Sequence, residues 1–204
     1  MDGSFDLILK GGTVVNHDGE GVRDLAVSGG RIAAIGDVGN SAGEVIDCRG
    51  LHVLPGVIDS HVHFREPGLT HKEDLETGSR GAVLGGVTAV FEMPNTEPTT
   101  TTAAALADKV ARAHHRMHCD FAFYIGATRE NTHELAALER LPGACGVKVF
   151  MGASTGSLLI EDDDGVRNVL KTIHRRAAFH SEDEYRLRER MHLRVEGDAG
   201  SHPV

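Results

Sequence analysis

From Pro55 onward, short apolar runs alternate with segments of helical period, and this alternation restricts the fold more than any other feature of the chain. An apolar strand runs from Leu54 into His61-Val62-His63. Helical patterning follows from Lys72 to Gly85, then a strand over Val87–Met93 and an alanine-rich helix over Thr101–Met117, started by the threonine run Thr99–Thr102. A strand over Phe121–Ile125, a helix over Thr132–Arg140 and a strand over Cys145–Met151 continue the series. A helix from about Asp164 to His174, a strand at Ala177–His180 and a charged helix running to about Val195, with Ser181 as its N-cap, complete it. Strands that alternate with helices in this way pair in parallel. A closed (β/α)8 barrel takes eight strands and roughly 250 residues, and five eighths of that is ~155. About five strands are counted here, so residues 55–204 are expected to be an incomplete barrel of the α/β class, with a loop from Gly197.

Residues 1–54 have a different rhythm. The β-rich run Phe5–Lys10 meets Gly11-Gly12, Asp24–Ser28 meets Gly29-Gly30 and is followed by Arg31–Ile35, and Glu44–Cys48 meets Arg49-Gly50. Glycine pairs between such runs predict hairpins in a small sheet or sandwich, too small to be well buried alone.

Composition excludes several partners. The net charge is −9 without a basic patch, which argues against nucleic acid. No apolar run approaches the ~20 residues of a membrane span, and the first six residues lack the pattern of a signal peptide. Three scattered cysteines fit reduced thiols in a cytoplasm. A small-molecule substrate is the expected partner, with homo-oligomerisation left open.

In parallel barrels the site forms where the strands end, at their C-terminal edge. The polar residues expected there are His61, His63, Arg65, Asn95, Lys148 and His180. His61 and His63, spaced i, i+2, project from one face of a strand and can grip one metal ion, although such a pair alone serves as readily in structure. Arg65 continues the series and offers a planar fork to a carboxylate, or pairs with Glu66 at the surface. Lys148 lies in Gly146–Met151, a strand buried on both faces, where an unpaired ammonium is costly. It either snorkels to a carboxylate or keeps a depressed pKa, leaving a free amine able to react with carbon dioxide. By themselves, Asn95 reads as a turn residue and His180 as a residue preceding a helix cap.

The string Leu54–Gly68, with its His-x-His pair, resembles the first barrel strand of the amidohydrolase superfamily, and Arg65-Glu66-Pro67-Gly68 resembles the dihydroorotase branch. Gly146–Gly152 is similar to the stretch that carries a carboxylated lysine in dihydroorotases, allantoinases and hydantoinases, and Ala177–Asp183 to the strand-five histidine. The likeness covers essentially the whole chain but only the first half of a family member, with residues 1–54 resembling part of the β domain that flanks the barrel. It implies two divalent ions, zinc by expectation, held by His61, His63, carboxylated Lys148 as bridging ligand and His180. Arg65 and Asn95 would contact substrate. The implied reaction is reversible hydrolysis of dihydroorotate to N-carbamoyl-L-aspartate in pyrimidine biosynthesis. Arg65 carries that choice, because dihydroorotate bears a carboxylate, allantoinases tend to place asparagine there, and hydantoinases lack this arginine. The alternatives are an allantoinase or dihydropyrimidinase-type cyclic amidase, or a non-catalytic relative acting as an assembly partner. The family's further metal-binding histidine and its acid/base aspartate would lie beyond Val204, so the chain alone is expected to be inactive.

Overall fold

The computed structural model describes residues 5–152 and 158–197. The chain divides into two compact units, residues 1–56 and 57–204.

The first unit is a five-stranded sheet. Strand β1 (Phe5–Asn16) pairs antiparallel with β2 (Gly19–Ser28), which pairs antiparallel with β3 (Arg31–Gly36). On its other side β1 pairs in parallel with β4 (Ala42–Asp47) and β5 (His52–Val53). The expected turn at Gly11-Gly12 is instead a bulge inside β1: the register against β2 shifts between Leu9 and Gly12, and Gly11 takes φ +69. A glycine in the left-handed region absorbs one extra residue without ending the strand. Ile8, Val14, Leu25, Ala26 and Cys48 are buried. Asp24, also buried, accepts hydrogen bonds from Lys10 Nζ at 2.7 Å and from the Gly11 N–H at 2.9 Å, which ties the bulge to β2.

The second unit is a curled half-barrel. Strands β6 (Val57–Val62), β7 (Val87–Glu92), β8 (Asp120–Gly126), β9 (Ala144–Phe150) and β10 (Ala177–His180) form one parallel sheet in the order β10-β9-β8-β7-β6. Helix α1 (Leu75–Leu84) connects β6 to β7, and α2 (Ala103–Ala113) connects β7 to β8. A 3-10 turn (Thr132–Glu134) leads into the short α3 (Leu135–Leu138), and α4 (Asp163–Thr172) and α5 (Glu184–Arg190) complete the series. The larger core, including Phe64, Leu75, Val90, Leu106, Phe123, Ile125, Leu135, Val147, Val149 and Val169, joins sheet to helices. A smaller cluster is built on Met93, Tyr124 and Cys145. Among the described residues no helix is long and apolar enough to cross a membrane.

Helix starts follow capping chemistry. Asp74, Thr102 and Asp162 each accept a backbone N–H from the first turn, so α1 begins three residues after the expected Lys72. Ser181 is not the cap of the last helix: Asp183 accepts the Arg186 N–H at 3.0 Å and α5 starts behind it. Helix α5 also ends earlier than expected, at Arg190, passing into a 3-10 turn at Met191–Leu193. The expected loop from Gly197 falls, beyond that residue, outside the described residues.

Candidate metal centre

Every strand of the half-barrel runs the same way, so residues at the C-terminal ends of β6, β7, β9 and β10 share one rim. His61 is the penultimate residue of β6 and His63 lies just past its end. Their ring centroids are 5.3 Å apart and inclined at 52°. The i, i+2 spacing thus brings the two imidazoles side by side although only the first belongs to the strand proper.

Asn95, three residues past β7, turns its carboxamide toward β6. Its Oδ1 lies 2.9 Å from His63 Nδ1. An Nδ1–H donated to that oxygen leaves the Nε2 lone pair of His63 free. Burial is the chief reason that the His63 imidazole is held down to about 4, and the charges of Arg65 and His61 add to it. His61 is lowered too, first by burial and then by the charges of Lys148 and His180. Residues from β6, β9 and β10 therefore lie within electrostatic reach of one another.

Lys148 sits in β9 with its side chain fully buried, and its Nζ has no hydrogen-bond partner. Snorkelling is thereby excluded. The amine lies 4.7 Å from the centroid of Phe150. Burial lowers its pKa, and the Glu182 carboxylate partly opposes this. His180 pairs across the sheet with Phe150, and its ring stacks on that phenyl at 5.7 Å. Its Nε2 is 2.5 Å from Glu182 Oε1. The other carboxylate oxygen of Glu182 is buried without a hydrogen-bond partner. Glu182 escaped the sequence reading; its signal was the His180-x-Glu182 spacing at a strand end.

Arg65 follows His63 in a left-handed conformation, φ +66, unusual for a residue with a side chain. Its neighbour Glu66 is buried and occupied elsewhere. Glu66 accepts from Arg116 at 2.8 and 3.2 Å and from the Leu75 N–H at 3.2 Å, with Arg112 3.9 Å away. The alternative of an Arg65–Glu66 surface pair is therefore replaced by a tie from Glu66 to α1 and the end of α2.

Among the described residues, no three His, Cys, Asp or Glu side chains converge into a metal cage. His61 and His63 are one pair, His180 at the end of β10 lies within electrostatic reach of His61, and Lys148 is the further donor on this rim. That donor set would fit divalent metal ions if the lysine supplied oxygen ligands. A buried amine without a partner is suited to become that group: carbon dioxide bonds to Nζ, one proton leaves, and a carbamate with two oxygens results.

A second charged pair lies just behind the rim. Glu92, the last residue of β7, and Lys109 of α2 are each 1 % exposed and form an ion pair, and Lys109 Nζ also donates to the Met93 carbonyl at 3.0 Å.

Comparison with known proteins places this geometry. The model of the amidohydrolase family matches residues 52–192. An allantoinase of Escherichia coli strain K12 is 42 % identical over 161 residues, covering 78 % of this chain and 35 % of that protein. The solved L-hydantoinase (dihydropyrimidinase) of Arthrobacter aurescens superposes with a TM-score of 0.88 at 32 % identity, over 97 % of this chain and 46 % of that one. A dihydropyrimidinase of Brevibacillus agri gives a TM-score of 0.76 at 26 % identity, over 89 % and 41 %. The chain thus spans between a third and a half of the length of these relatives.

Proposed function

The chain belongs to the amidohydrolase family, and from that premise we propose that it supplies the first half of the barrel of a metal-dependent cyclic-amide hydrolase. The observation that carries the reading is the fully buried, partnerless Nζ of Lys148, on the same rim as the imidazoles of His61, His63 and His180. In this reading His61, His63, His180 and a carboxylated Lys148 would hold two divalent ions, zinc by expectation, which would supply Lewis-acid activation of water and of the scissile carbonyl. Asn95 fixes the His63 tautomer, and Arg65, free of Glu66, faces the ring to be opened. No residue of this chain is assigned the acid/base role.

The substrate follows the relatives first. Allantoinase and hydantoinase names among them favour an allantoin- or hydantoin-type ring over dihydroorotate, which was the leading expectation from sequence. One observation keeps dihydroorotate as the second reading: Arg65 is not spent on Glu66 and remains able to clamp a carboxylate.

The test is an assay of the protein carrying the complete barrel on allantoin, hydantoin, dihydrouracil and dihydroorotate, with a metal count. Turnover of allantoin or hydantoin with divalent metal present is the expected result. Dihydroorotate turnover abolished by Arg65→Ala would install the second reading. Metal-free protein that opens none of the four rings would end both.

A further inference from the structure

We infer that Glu92, held in place by Lys109, is a positioning residue that sets the backbone carrying Arg65 and so governs how the site receives its substrate. The inference rests on the reading of Arg65 as a substrate contact. Glu92 closes β7 and Lys109 projects from α2, on the same buried stripe as Leu106 and Ala113. A lysine in such a stripe is out of place unless it has a purpose there. Lys109 Nζ donates to the Glu92 carboxylate and to the Met93 carbonyl, and it lies 5.2 Å from the centroid of Phe123.

The carboxylate has a second task. Glu92 stands opposite Val62 in the sheet, the Met93 N–H donates to the Val62 carbonyl at 3.0 Å, and the backbone amides of Phe64 and Arg65 lie close enough to the carboxylate to favour its charged form. Those two amides belong to the turn that leaves β6, where Arg65 is left-handed and the Glu66 N–H folds back onto the Phe64 carbonyl at 2.8 Å. One buried anion therefore joins three elements: the loop after β6, the end of β7 and helix α2. Burial drives the Glu92 carboxyl up to about 7 and the lysine down, with the mutual attraction of the pair opposing both shifts.

Stability alone does not call for this arrangement, since apolar residues of similar volume replace buried ion pairs at little or no loss. An apolar pair offers no acceptor to the backbone amides of Phe64 and Arg65. The left-handed backbone at Arg65 is disfavoured for a residue with a Cβ and persists only where its surroundings over-determine it. Glu92 supplies that determination from within the core, and Glu66 supplies it from the following residue.

The experiment compares wild type with Glu92→Met/Lys109→Met in the protein carrying the complete barrel. Thermal unfolding, hydrogen exchange of the peptide spanning residues 62–67, and kcat and KM are the readouts. The double variant is expected to unfold near the wild-type temperature, to exchange its Phe64 and Arg65 amides at least about tenfold faster, and to raise KM about tenfold with a much smaller change in kcat. Wild-type exchange and KM in a folded double variant would overturn the inference. If the double variant does not fold, Glu92→Gln/Lys109→Met decides, because it loses both charges but keeps an acceptor oxygen. Slow exchange at Phe64 and Arg65 is then expected, and exchange faster by about tenfold or more overturns the inference. A wild-type protein that opens no cyclic amide would defeat the proposed activity, while the exchange comparison would still decide the role of Glu92.

Discussion

Asn95 Oδ1 stands 2.9 Å from His63 Nδ1, so an amide from the loop after β7 selects the tautomer of an imidazole that follows β6. The contact makes Asn95 a partner of a proposed metal ligand as much as a candidate substrate contact.

Replacing Asn95 by Leu is expected to weaken metal binding by about 10–100-fold, the usual effect of losing a group that orients a ligating histidine. Competition against a chromogenic chelator measures it. Unchanged affinity would detach Asn95 from the metal centre.

Lys148→Met is expected to separate stability from function. The substitution removes a buried amine without a partner, so in chelator the variant should match or exceed wild-type stability, by about 1–3 kcal/mol. Metal retention and ring opening should both be lost. Urea unfolding in chelator and a metal count after desalting test the two halves, and a variant that still keeps two ions contradicts the role given to this lysine.

Arg65 permits a backbone test. With φ at +66, Arg65→Gly should be more stable than Arg65→Ala by about 1 kcal/mol, because glycine occupies that region without a Cβ clash. Both should equally lose whatever carboxylate binding the guanidinium supplies. Thermal melts of the two variants side by side decide the first claim, and equal midpoints would contradict it.

The first unit should respond to acid through Asp24. The hydrogen bond from Lys10 is the main cause holding this carboxyl below its ordinary 3.8, with the Gly11 and Val38 N–H groups adding to it. A depressed carboxyl stabilises fully above the unfolded value of 3.8, where both states are ionised, and its contribution disappears as pH falls through the lower folded value. Asp24→Asn should therefore cost about 1–3 kcal/mol at neutral pH and progressively less on acidification. Urea titrations at neutral and acidic pH test this, and a cost that does not change with pH would contradict it.

The half-barrel is readable because its strands are largely apolar and four of the five, all but β8, carry a polar residue at or near the C-terminal end. His61, His63, Asn95, Lys148 and His180 stand out for that reason. The same logic, applied evenly, would also have found Glu92, an acid closing the buried strand β7 and needing a partner as Lys148 does. It was hidden because the partner, Lys109, sits in an alanine-rich helix among exposed charges such as Asp108 and Arg112. Only packing shows that Lys109 faces inward. The bulge at Gly11 is not legible in the sequence for a related reason: glycine permits a left-handed residue, but whether the strand stops or continues there depends on hydrogen bonds supplied by β2 and β4. The cap of α5 moved from Ser181 to Asp183 because neighbouring polar residues compete for one N–H, and local sequence does not rank them.

The sheet order β10-β9-β8-β7-β6 leaves β6 and β10 each with a single neighbour among the described residues, and Val57 and Ile58 of β6 are more than half exposed. Two bare flanks of this kind act as templates for any extended peptide of matching register. Handled alone, the chain should therefore grow stickier with concentration, and it should be rescued when strands that satisfy both margins are supplied with it, in cis or in trans.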